Sequence, residues 1–364
     1  MSPRNVILTA GGTAGHVFPA MAVGSLLRER GHSVLFLGDG RLGDYATQSG
    51  FPHRLVTSGR NLKSFKSLFS VLQGIWQSFR IIRNFKADAV IGFGSYVTFP
   101  ILTAAALTRT AIYLHEQNLF VGDANKFFLS HGKRIFTSLQ ETYGVRIDYS
   151  GKICFSGNPV REEVRRLRDA PAYRRPEPCG AVNILITGGS GGASFMATEL
   201  LEAFHFLGEK TKKRIRVSHQ VKEAGELEMV RLFYDREMIE GEVRLFFQDM
   251  PLRILQSHLV IARSGMGTIS ELAMVGRPAI LIPSPNVKNN HQLHNARFFE
   301  RSGGCLVVEE STFRPEKFAS DLEFLIADGE KLEELASNMR KLAVLDAEER
   351  IVQQLESDLG QLDH

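Results

Sequence analysis

The chain has 364 residues, of which 43% are hydrophobic and 23% are charged. This composition is typical of a soluble globular protein and excludes a disordered chain, a collagen-like fibre and a disulfide-rich scaffold. At roughly 100–200 residues per domain, the length predicts about two domains. The formal net charge of +4 favours acidic partners such as nucleotides, pyrophosphates or an anionic membrane face, and is too small to indicate nucleic acid binding.

The cysteine content and the N-terminal sequence indicate the cellular compartment of the protein. Cys154, Cys179 and Cys305 are widely spaced and form no CxxC pair, which is more typical of a reduced cytosolic protein than of a secreted one. The first residues run directly into an apolar strand, without the apolar core of a signal peptide. Charge or glycine interrupts every apolar run well before the ~20 residues of a membrane helix. We therefore expect a cytoplasmic protein without a membrane span.

Short apolar runs followed by glycine-rich turns and helical periodicity recur along the chain. This alternation predicts an α/β protein with doubly wound parallel sheets, in which helices cover both sheet faces and ligands bind at the carboxyl ends of the strands. The predicted strands are Asn5–Thr9, Ser33–Leu37, Ala89–Gly92, Ala111–Leu114, Arg134–Phe136, Val182–Thr187, Arg214–His219, Val243–Phe247, Leu259–Ala262, Ala279–Ile282 and Cys305–Val308.

Two similar segments divide the chain into halves. Val6–Gly15 and Asn183–Gly192 each contain an apolar strand, a glycine loop and the start of a helix. Between them, Arg165–Gly180 is rich in arginine and proline, which is typical of a linker. The predicted organisation is a first domain at 1–160, a linker at 161–180, a second domain at 181–345, and a C-terminal helix at about 346–364 that packs back on the first domain.

The first glycine loop, Gly11–His16, follows a predicted strand and opens a helix. Glycines let the backbone approach a phosphate, and a helix N-terminus presents N–H groups to it. His16 could serve as a general base near neutral pH, or it could fix the loop or bind phosphate without proton transfer. A dinucleotide-binding oxidoreductase is an alternative, because Asp39 could bind a ribose, but Ala10 breaks the GxGxxG pattern.

Three further polar segments follow predicted strands of the first half. Gly92–Tyr96 is a second glycine loop and a candidate phosphate contact. His115–Asn118 carries four polar side chains, which we expect outside the core; the segment is not HExxH, so a zinc hydrolase is not supported. Gly157–Arg161 is a turn that ends the first domain. Arg161 could reach a phosphate or a sugar hydroxyl, or form a salt bridge of the linker.

The second half contains three candidate ligand segments. Gly188–Ser194 and Ala262–Leu272 each place small residues and hydroxyls after an apolar strand at a helix start, as a diphosphate requires. Glu271 could accept two hydrogen bonds from a ribose diol, or could only interact with the helix dipole. Asn289–Asn295 is rich in amides, which pair with sugar hydroxyls but are also common in surface loops.

A predicted helix at residues 62–86 combines aromatic, aliphatic and basic residues. Such a helix is typical of an interfacial membrane contact, although a core-facing helix would show a similar stripe. Lys63, Lys66, Arg80, Arg83 and Lys86 lie near its two ends. The apolar face carries Phe65, Leu68, Phe69, Leu72, Ile75, Trp76, Phe79 and Ile82. Of these residues, we expect Phe65, Phe69, Trp76 and Phe79 to contact the membrane.

Patterns for metal-dependent chemistry are missing from the sequence. No Asp-x-Asp follows an apolar strand, and no zinc spacing, Walker A loop or nucleophile elbow occurs. A metal-bridged diphosphate is therefore not required, because helix dipoles and arginines could stabilise a leaving diphosphate. We expect no metal site.

Seven segments taken in chain order resemble one known family. In this order and spacing they are similar to the MurG family, the bacterial N-acetylglucosaminyltransferases of peptidoglycan synthesis. The resemblance implies a GT-B fold, in which two Rossmann-like domains face each other across a cleft. The segments extend from residue 5 to about residue 300 and read GGTAGH, GFGSYVTFP, LHEQN, GNPVR, ITGGSGGAS, ARSGMGTISEL and NNHQLHNA.

The resemblance also implies a reaction. GlcNAc would pass, with inversion, from UDP-GlcNAc to the C4 hydroxyl of MurNAc in undecaprenyl-pyrophosphoryl-MurNAc-pentapeptide (lipid I), giving lipid II. The first domain would bind the acceptor and the cytoplasmic leaflet of the cell membrane, and the second would bind UDP-GlcNAc. No cofactor would be required. Stimulation by a divalent cation and binding of other cell-wall synthesis proteins are compatible with the resemblance. The enzyme would be peripherally bound to the inner membrane face.

Site residues are carried over onto matching positions. His16 matches the proposed general base, and Gly12, Gly94, Ser95 and Tyr96 would hold the acceptor pyrophosphate. Phe247 matches the position whose backbone reads the uracil. The full set of implied donor contacts is Thr13, Ala14, Gly15, Asn118, Arg161, Ser190, Phe247, Met266, Gly267, Thr268, Ile269, Ser270, Glu271 and Gln292.

The sequence departs from the family pattern at three positions. Ala14 and Ser95 stand where the family has glycine, which argues against a positive φ there because other residues rarely adopt it. Gly191 replaces a glutamine and would remove a side-chain contact to substrate. None of the three changes removes a proposed catalytic group, so we expect activity.

Two other functions are compatible with the sequence. One is a different GT-B enzyme of UDP-sugars, such as a non-hydrolysing UDP-GlcNAc 2-epimerase, although the aromatic helix argues against an enzyme without a lipid acceptor. The other is a non-catalytic scaffold that binds UDP-GlcNAc and recruits cell-wall partners.

Overall fold

The computed structural model describes residues 2–59, 65–189 and 194–361. Within it, the chain divides into two compact units. The first unit contains Met1–Arg161 together with Val344–His364, and the second contains Glu162–Ala343. Apart from Arg161, the segment predicted as a linker therefore falls in the second unit, where it begins with the short helix Glu162–Arg166.

The described residues of the first unit form a seven-stranded parallel sheet in the order β3-β2-β1-β4-β5-β6-β7. Non-consecutive neighbours in this order mark the crossover connections of a doubly wound sheet. The strands are β1 Asn5–Ala10, β2 Ser33–Gly38, β3 His53–Leu55, β4 Ala89–Gly92, β5 Ala111–Glu116, β6 Gly132–Thr137 and β7 Ile153–Phe155.

The described residues of the second unit form a six-stranded parallel sheet in the order β10-β9-β8-β11-β12-β13. Its strands are β8 Val182–Thr187, β9 Ile215–Gln220, β10 Glu240–Arg244, β11 Leu259–Ala262, β12 Ala279–Leu281 and β13 Cys305–Val307. Two parallel-sheet units of this kind confirm the predicted α/β class.

Helices follow most strands. In the first unit they are α1 Ala14–Glu29, α2 Gly40–Gln48, α3 Phe65–Phe85, α4 Thr98–Thr108, α5 Asp123–Phe128 and, at the C-terminus, α16 Ala347–Gly360. In the second unit they are α6 Glu162–Arg166, α7 Ser194–Ala197, α8 Glu199–His205, α9 Glu209–Lys212, α10 Ala224–Arg236, α11 Met250–Gln256, α12 Met266–Val275, α13 His291–Arg301, α14 Pro315–Ala327 and α15 Gly329–Lys341.

Both faces of the first sheet are buried. Side chains of a strand alternate between faces, so Val6 and Leu8 belong to one hydrophobic cluster and Ile7 to another. All three are fully buried. Continuous apolar strands are therefore required here, which explains why the strand prediction succeeded for most of the sheet.

Most predicted strands are correct to within one or two residues at each end, and three strands differ more strongly from the sequence prediction. His53–Leu55 and Ile153–Phe155 are three-residue edge strands that were not predicted, because such short segments carry no periodic signal. Val243–Phe247 was predicted as a strand, but β10 spans Glu240–Arg244 instead. The apolar residues Leu245 and Phe246 misplaced the prediction, because they lie beyond the strand and are exposed.

Helix α3 does not present the single apolar stripe that its sequence indicates. Ile82 is buried, and Ile75 and Phe79 are partly buried against the core. Phe79 thus packs partly against the core, and the membrane contact predicted for it stays a prediction. A second face of the helix is solvent-exposed and consists of Leu68, Phe69, Leu72 and Trp76, which are 45–71% accessible. The predicted contact at Phe65 concerns a side chain outside the described residues.

The C-terminal helix α16 packs on the first unit. Ile351, Val352 and Leu355 join the cluster formed by β1, β2 and α1. Near its end, Asp358 is almost fully buried and accepts two hydrogen bonds of 3.0 Å from the guanidinium of Arg134 on β6. This bidentate pair explains how a carboxylate is tolerated in the interior, because both oxygens have charged donors.

We predict that Arg134→Met loosens α16. Removing one partner of a buried pair leaves an uncompensated charge, which costs about 3–5 kcal/mol. Because the Arg134 side chain is 32% accessible, solvent screens part of this cost, and we expect a loss of about 2–3 kcal/mol in the opening free energy of α16. Amide hydrogen exchange of residues 347–360 measures it.

The matched control is Arg146→Met, which removes an exposed pair with Asp148 and should cost less than about 0.5 kcal/mol. The double variant Arg134→Met/Asp358→Leu should recover part of the loss, because it removes the charge as well. Equal exchange in Arg134→Met and Arg146→Met would show that the pair does not hold the helix.

Candidate functional site

The first glycine loop is held by Asp39, which directly follows β2. Gly12 has a φ of +73°, and its N–H donates to Asp39 Oδ2 at 2.8 Å. The other oxygen of Asp39 accepts from Leu42 N at 3.2 Å and caps α2. Both oxygens of Asp39 thus bind backbone N–H groups. This arrangement does not favour the ribose contact that a dinucleotide-binding oxidoreductase would need.

His16 lies in the first turn of α1 and is half-buried. Its Nδ1 lies 2.8 Å from the carbonyl oxygen of Phe93, at the end of β4. A carbonyl oxygen can only accept, so Nδ1 is the donor and the neutral ring carries its lone pair on Nε2. The ring is therefore oriented by one nitrogen and has the tautomer in which the other can accept a proton.

The second glycine loop packs against the first. Gly94 has a φ of +84°, and a Cβ at this position would lie 3.3 Å from the imidazole of His16. A Cβ on Gly12 would lie 2.7 Å from Ser95 Oγ. A side chain at Gly94 would displace the imidazole, and a side chain at Gly12 would displace Ser95 of the second loop. The close approach of the two loops therefore requires glycine at both positions.

The two departures from glycine in these loops have different outcomes. Ala14 is buried and is the first residue of α1, and it is not among the residues with positive φ. Ser95 has a φ of +78°, against the expectation from its residue type. Its carbonyl accepts from Thr98 N and Oγ1 at 3.2 and 2.9 Å, which holds the strained turn at the start of α4.

The His115–Asn118 segment is largely buried, so the expectation that its polar groups lie outside the core is wrong. Glu116 is 3% accessible and accepts hydrogen bonds from four donors at 2.8–3.4 Å. The donors are the N–H of Asn118 and of Gly122 and the amides of Asn118 and Asn125. Burial raises the pKa of the Glu116 carboxyl, and these hydrogen bonds counteract the shift.

Two buried side chains connect this segment to the His16 region. Burial lowers the pKa of His115 to about 4, so the ring is neutral at physiological pH. The Asn125 amide also donates to the His115 carbonyl at 3.1 Å, and it lies near the Gly94 turn. Asn125 could not be identified from the sequence, because a single buried polar residue on the short helix α5 produces no periodic signal.

Arg161 lies over an aromatic side chain of α1. Its guanidinium carbon is 4.6 Å from the centroid of Phe18, which itself makes an edge contact with Tyr45 at 5.0 Å. Such a stack orients a guanidinium without neutralising it. The predicted role of Arg161 in binding a phosphate or a sugar hydroxyl stays a prediction.

In the second unit, the predicted diphosphate segment forms the start of α12. Gly265 is the residue before the helix and has no side chain that could cap it. The N–H groups of Met266, Gly267 and Thr268 therefore belong to an uncapped first helical turn, the kind of position at which helices can bind anions. Ile269 is fully buried and fixes the helix.

The amide-rich segment supports the same loop. Ser264 Oγ donates to the Gln292 carbonyl at 2.9 Å, and the Gln292 side-chain oxygen accepts from Ser284 N at 2.9 Å. A sugar contact of Gln292 could use its Nε2 donor or the second lone pair of this oxygen. Ser270 Oγ donates to the Met266 carbonyl within α12, and Glu271, one residue further, is 8% accessible.

The remaining donor residues have different surroundings. Phe247 is 3% accessible, and its ring packs under the guanidinium of Arg253. Gly189 has a φ of +69° and lies close to Thr268. The predicted contact of Ser190 and the departure at Gly191 lie outside the described residues.

The structure thus gathers the candidates into two sets. In the first unit, Asn118 and the residues predicted to bind the acceptor or to act as the base lie at the carboxyl ends of β1, β4 and β5. In the second unit, the α12 start, Gln292 and Phe247 follow β11, β12 and β10. No group of three or more histidine, cysteine, aspartate or glutamate side chains that could hold a metal occurs within the described part of the chain.

We predict that Ser95→Gly stabilises the first unit. A non-glycine residue in the left-handed region costs roughly 1–2 kcal/mol, and glycine at 95 removes this cost while the Thr98 bonds to the backbone persist. After the entropy that glycine adds to the unfolded chain, a gain of about 0.5–1 kcal/mol remains. Calorimetry should show a Tm about 2 °C higher.

Ser49→Gly is the matched control, because Ser49 has a φ of −93° and gains nothing from glycine. This variant should be slightly less stable than the parent. A lower Tm for Ser95→Gly would mean that the serine side chain contributes more than its backbone strain costs.

Comparisons with known proteins agree with this architecture. Residues 6–137 match the glycosyltransferase family 28 N-terminal domain, and residues 183–351 match the corresponding C-terminal domain. The structure is similar to the crystal structure of Acinetobacter baumannii MurG, with a TM-score of 0.78, 26% identity, and coverage of 98% of this chain and 100% of that chain. It also resembles a putative UDP-N-acetylglucosamine 2-epimerase from Listeria monocytogenes, with a TM-score of 0.72 and 14% identity, covering 100% and 98% of the two chains. At that identity the likeness concerns the fold alone.

Sequence relatives identify the family more closely. A UDP-N-acetylglucosamine--N-acetylmuramyl-(pentapeptide) pyrophosphoryl-undecaprenol N-acetylglucosamine transferase from Methylobacterium sp. (strain 4-46) is 37% identical over 355 residues, which cover 95% of this chain and 94% of the relative. A relative with the same name from Rhizobium etli (strain CIAT 652) is 35% identical over 98% of this chain and 96% of its own length. The chain belongs to the MurG family of N-acetylglucosamine transferases, within glycosyltransferase family 28.

Proposed function

We propose that this protein transfers GlcNAc from UDP-GlcNAc to the C4 hydroxyl of MurNAc in lipid I, giving lipid II. The observation that carries the proposal is near full-length similarity to transferases of this name, at 37% identity in one case. It is supported by an imidazole at the carboxyl edge of the first sheet with the tautomer of a base. The epimerase likeness rests on fold alone and does not favour a second function.

The proposed step is a single displacement at the anomeric carbon. His16 Nε2 takes the proton of the C4 hydroxyl while the C4 oxygen bonds to C1 of GlcNAc. The bond between C1 and the β-phosphate oxygen breaks, and its electron pair leaves with UDP. Attack from the side opposite the leaving group inverts the anomeric centre.

Two kinds of group would stabilise charge in this step. The Phe93 carbonyl accepts from His16 Nδ1, and it also stabilises the imidazolium that forms, because the charged ring donates more strongly. The N–H groups at the start of α12 stabilise the charge that develops on the diphosphate. With these groups, the transfer requires no cofactor and no metal.

We propose further that the protein binds the cytoplasmic face of the cell membrane through the exposed face of α3. That face consists of Leu68, Phe69, Leu72 and Trp76. At its end, the guanidinium of Arg80 lies 4.8 Å from the Trp76 ring centroid, and exposed cations there would meet anionic headgroups. No helix in the described part of the chain is long and apolar enough to cross a bilayer.

We predict that the protein transfers labelled GlcNAc from UDP-GlcNAc to a short-chain lipid I analogue, and that EDTA leaves the rate unchanged. His16→Asn keeps a donor for the Phe93 carbonyl but removes the base. It should lower kcat by about 10²–10⁴-fold while the Kd for UDP changes less than twofold.

His131→Asn is the matched control, since this exposed histidine precedes β6 at the amino end of the sheet. Its rate should equal that of the parent. Absence of transfer by the parent in the presence of tight UDP-GlcNAc binding would contradict the proposed reaction. A normal rate in His16→Asn would remove this residue from proton transfer, and loss of transfer in EDTA would show that a metal is needed.

We predict that Phe69→Glu/Trp76→Glu weakens binding to phosphatidylglycerol vesicles by at least tenfold. Two exposed aromatic side chains lose their contact with the acyl boundary, at about 25 cal/mol per Å² of apolar area, and two new carboxylates repel the anionic surface. The measurement is vesicle co-sedimentation at 50 and 300 mM salt.

Phe324→Glu serves as the control, because Phe324 is 73% accessible on α14 of the second unit. This variant should bind vesicles as the parent does. Undiminished binding of the α3 double variant, with an unchanged circular dichroism spectrum, would exclude this face as the membrane contact.

A further inference from the structure

The loop that follows β10 is fixed unusually firmly for a surface connection. Residues 245–249 contain exposed Leu245 and Phe246, but the Phe247 ring is 3% accessible. The loop therefore turns one aromatic side chain inward while its neighbours face solvent.

Arg253 on α11 covers that ring. Its guanidinium carbon lies 4.0 Å from the Phe247 centroid, and its side chain is only 19% accessible. At this distance a desolvated cation over an aromatic face contributes more than an exposed one. The stack determines where the Phe247 side chain lies, and thereby where the backbone of that residue runs.

Three polar partners hold the guanidinium itself. Nε donates to Asp249 Oδ1 at 3.0 Å, and Nη1 donates to Ser218 Oγ at 2.9 Å. Nη1 also pairs with Glu242 Oε2 at 2.7 Å. Ser218 and Glu242 lie on β9 and β10, so the arginine connects the loop to two strands of the sheet. A lysine has one point of charge and could not make these bonds together with the stack.

A second clamp holds the start of the same loop. Gln220 Nε2 donates to the Leu245 carbonyl at 3.3 Å, and Gln220 Oε1 accepts from Thr187 Oγ1 at 2.8 Å. The loop is thus fixed at both ends. Gln220 holds Leu245 at its start, and Arg253 holds Phe247 and Asp249 at its end.

We infer that Arg253 is a positioning residue for recognition of the uracil base. By stacking on Phe247 and binding Asp249, it holds the backbone of residue 247 where its peptide groups can pair with the edge of the base. The inference rests on the proposed function, because it takes UDP-GlcNAc as the donor and Phe247 as the base-reading residue. Arg253 acts through Phe247 and touches no substrate.

The test compares the Kd values for UDP and CDP, which differ only in the hydrogen-bonding edge of the base. Calorimetric titration of Arg253→Met should show UDP binding about tenfold weaker, with CDP binding changed less than twofold. The preference for UDP then falls about tenfold. In the transfer assay, KM for UDP-GlcNAc should rise about tenfold while kcat stays within twofold. Arg253→Lys should lose about threefold in preference.

Arg216→Met is the matched control. Arg216 lies on β9, and its hydrogen bond and ion pair both go to Glu240. This variant should keep both affinities within twofold.

Different outcomes separate this inference from the proposed function. A parent protein that binds CDP as tightly as UDP would overturn the donor assignment, and this inference with it. A parent that prefers UDP, with variants that keep the preference, would overturn the positioning role alone. Equal weakening of UDP and CDP would show a merely structural role. If Arg253→Met fails to fold, the preference of Arg253→Lys decides.

Discussion

The imidazole of His16 is held by a carbonyl group that comes from a different strand. β1 leads into the helix that carries His16, and β4 ends at Gly92, directly before Phe93, whose oxygen accepts from Nδ1. These strands are parallel neighbours in the sheet, so both carboxyl ends lie at one edge. The surrounding loops accommodate this bond: Gly94 must lack a side chain beside the ring, and Gly12 must make room for the adjacent turn. The same bond selects the tautomer that general base catalysis needs.

Buried carboxylates support the first unit in two places, for different reasons. Glu116 accepts only from neutral amide and backbone donors of the residues that follow it. These bonds fix the conformation of the loop without a positively charged partner. Asp358 instead has a guanidinium on both oxygens. The first arrangement specifies a local conformation next to the candidate site, whereas the second joins the C-terminal helix to the sheet. In both cases the desolvation of a carboxylate is offset by directed hydrogen bonds.

Several candidate ligand groups of the second unit are backbone donors. The α12 start offers N–H groups, and Ser264 and Gln292 connect its loop to α13. An arginine over Phe247 does the same for the loop after β10. Rigid backbone donors suit a diphosphate and a base edge, because they lose little entropy when the nucleotide binds.

Much of this architecture follows from local sequence. Val182–Thr187, Ala89–Gly92 and Leu259–Ala262 were predicted with the bounds that they have, because a continuous apolar run between turn signals has few alternatives. The glycine loops and His16 were also found, since a strand followed by glycines and a helix start is a local pattern. Short edge strands such as His53–Leu55 carry no such pattern, and β10 was displaced by exposed apolar residues.

What sequence alone determined is the α/β class, the order of the loops and the identity of the residues in them. Tertiary structure decided which polar side chains are buried and what they bind. Glu116 and Asn125 form one network although nine residues separate them. Arg253 reaches Ser218 and Glu242 across two strands, and Ser95 adopts a backbone that its residue type disfavours. The physical reason is that these states depend on contacts between distant segments, which periodicity and composition do not encode.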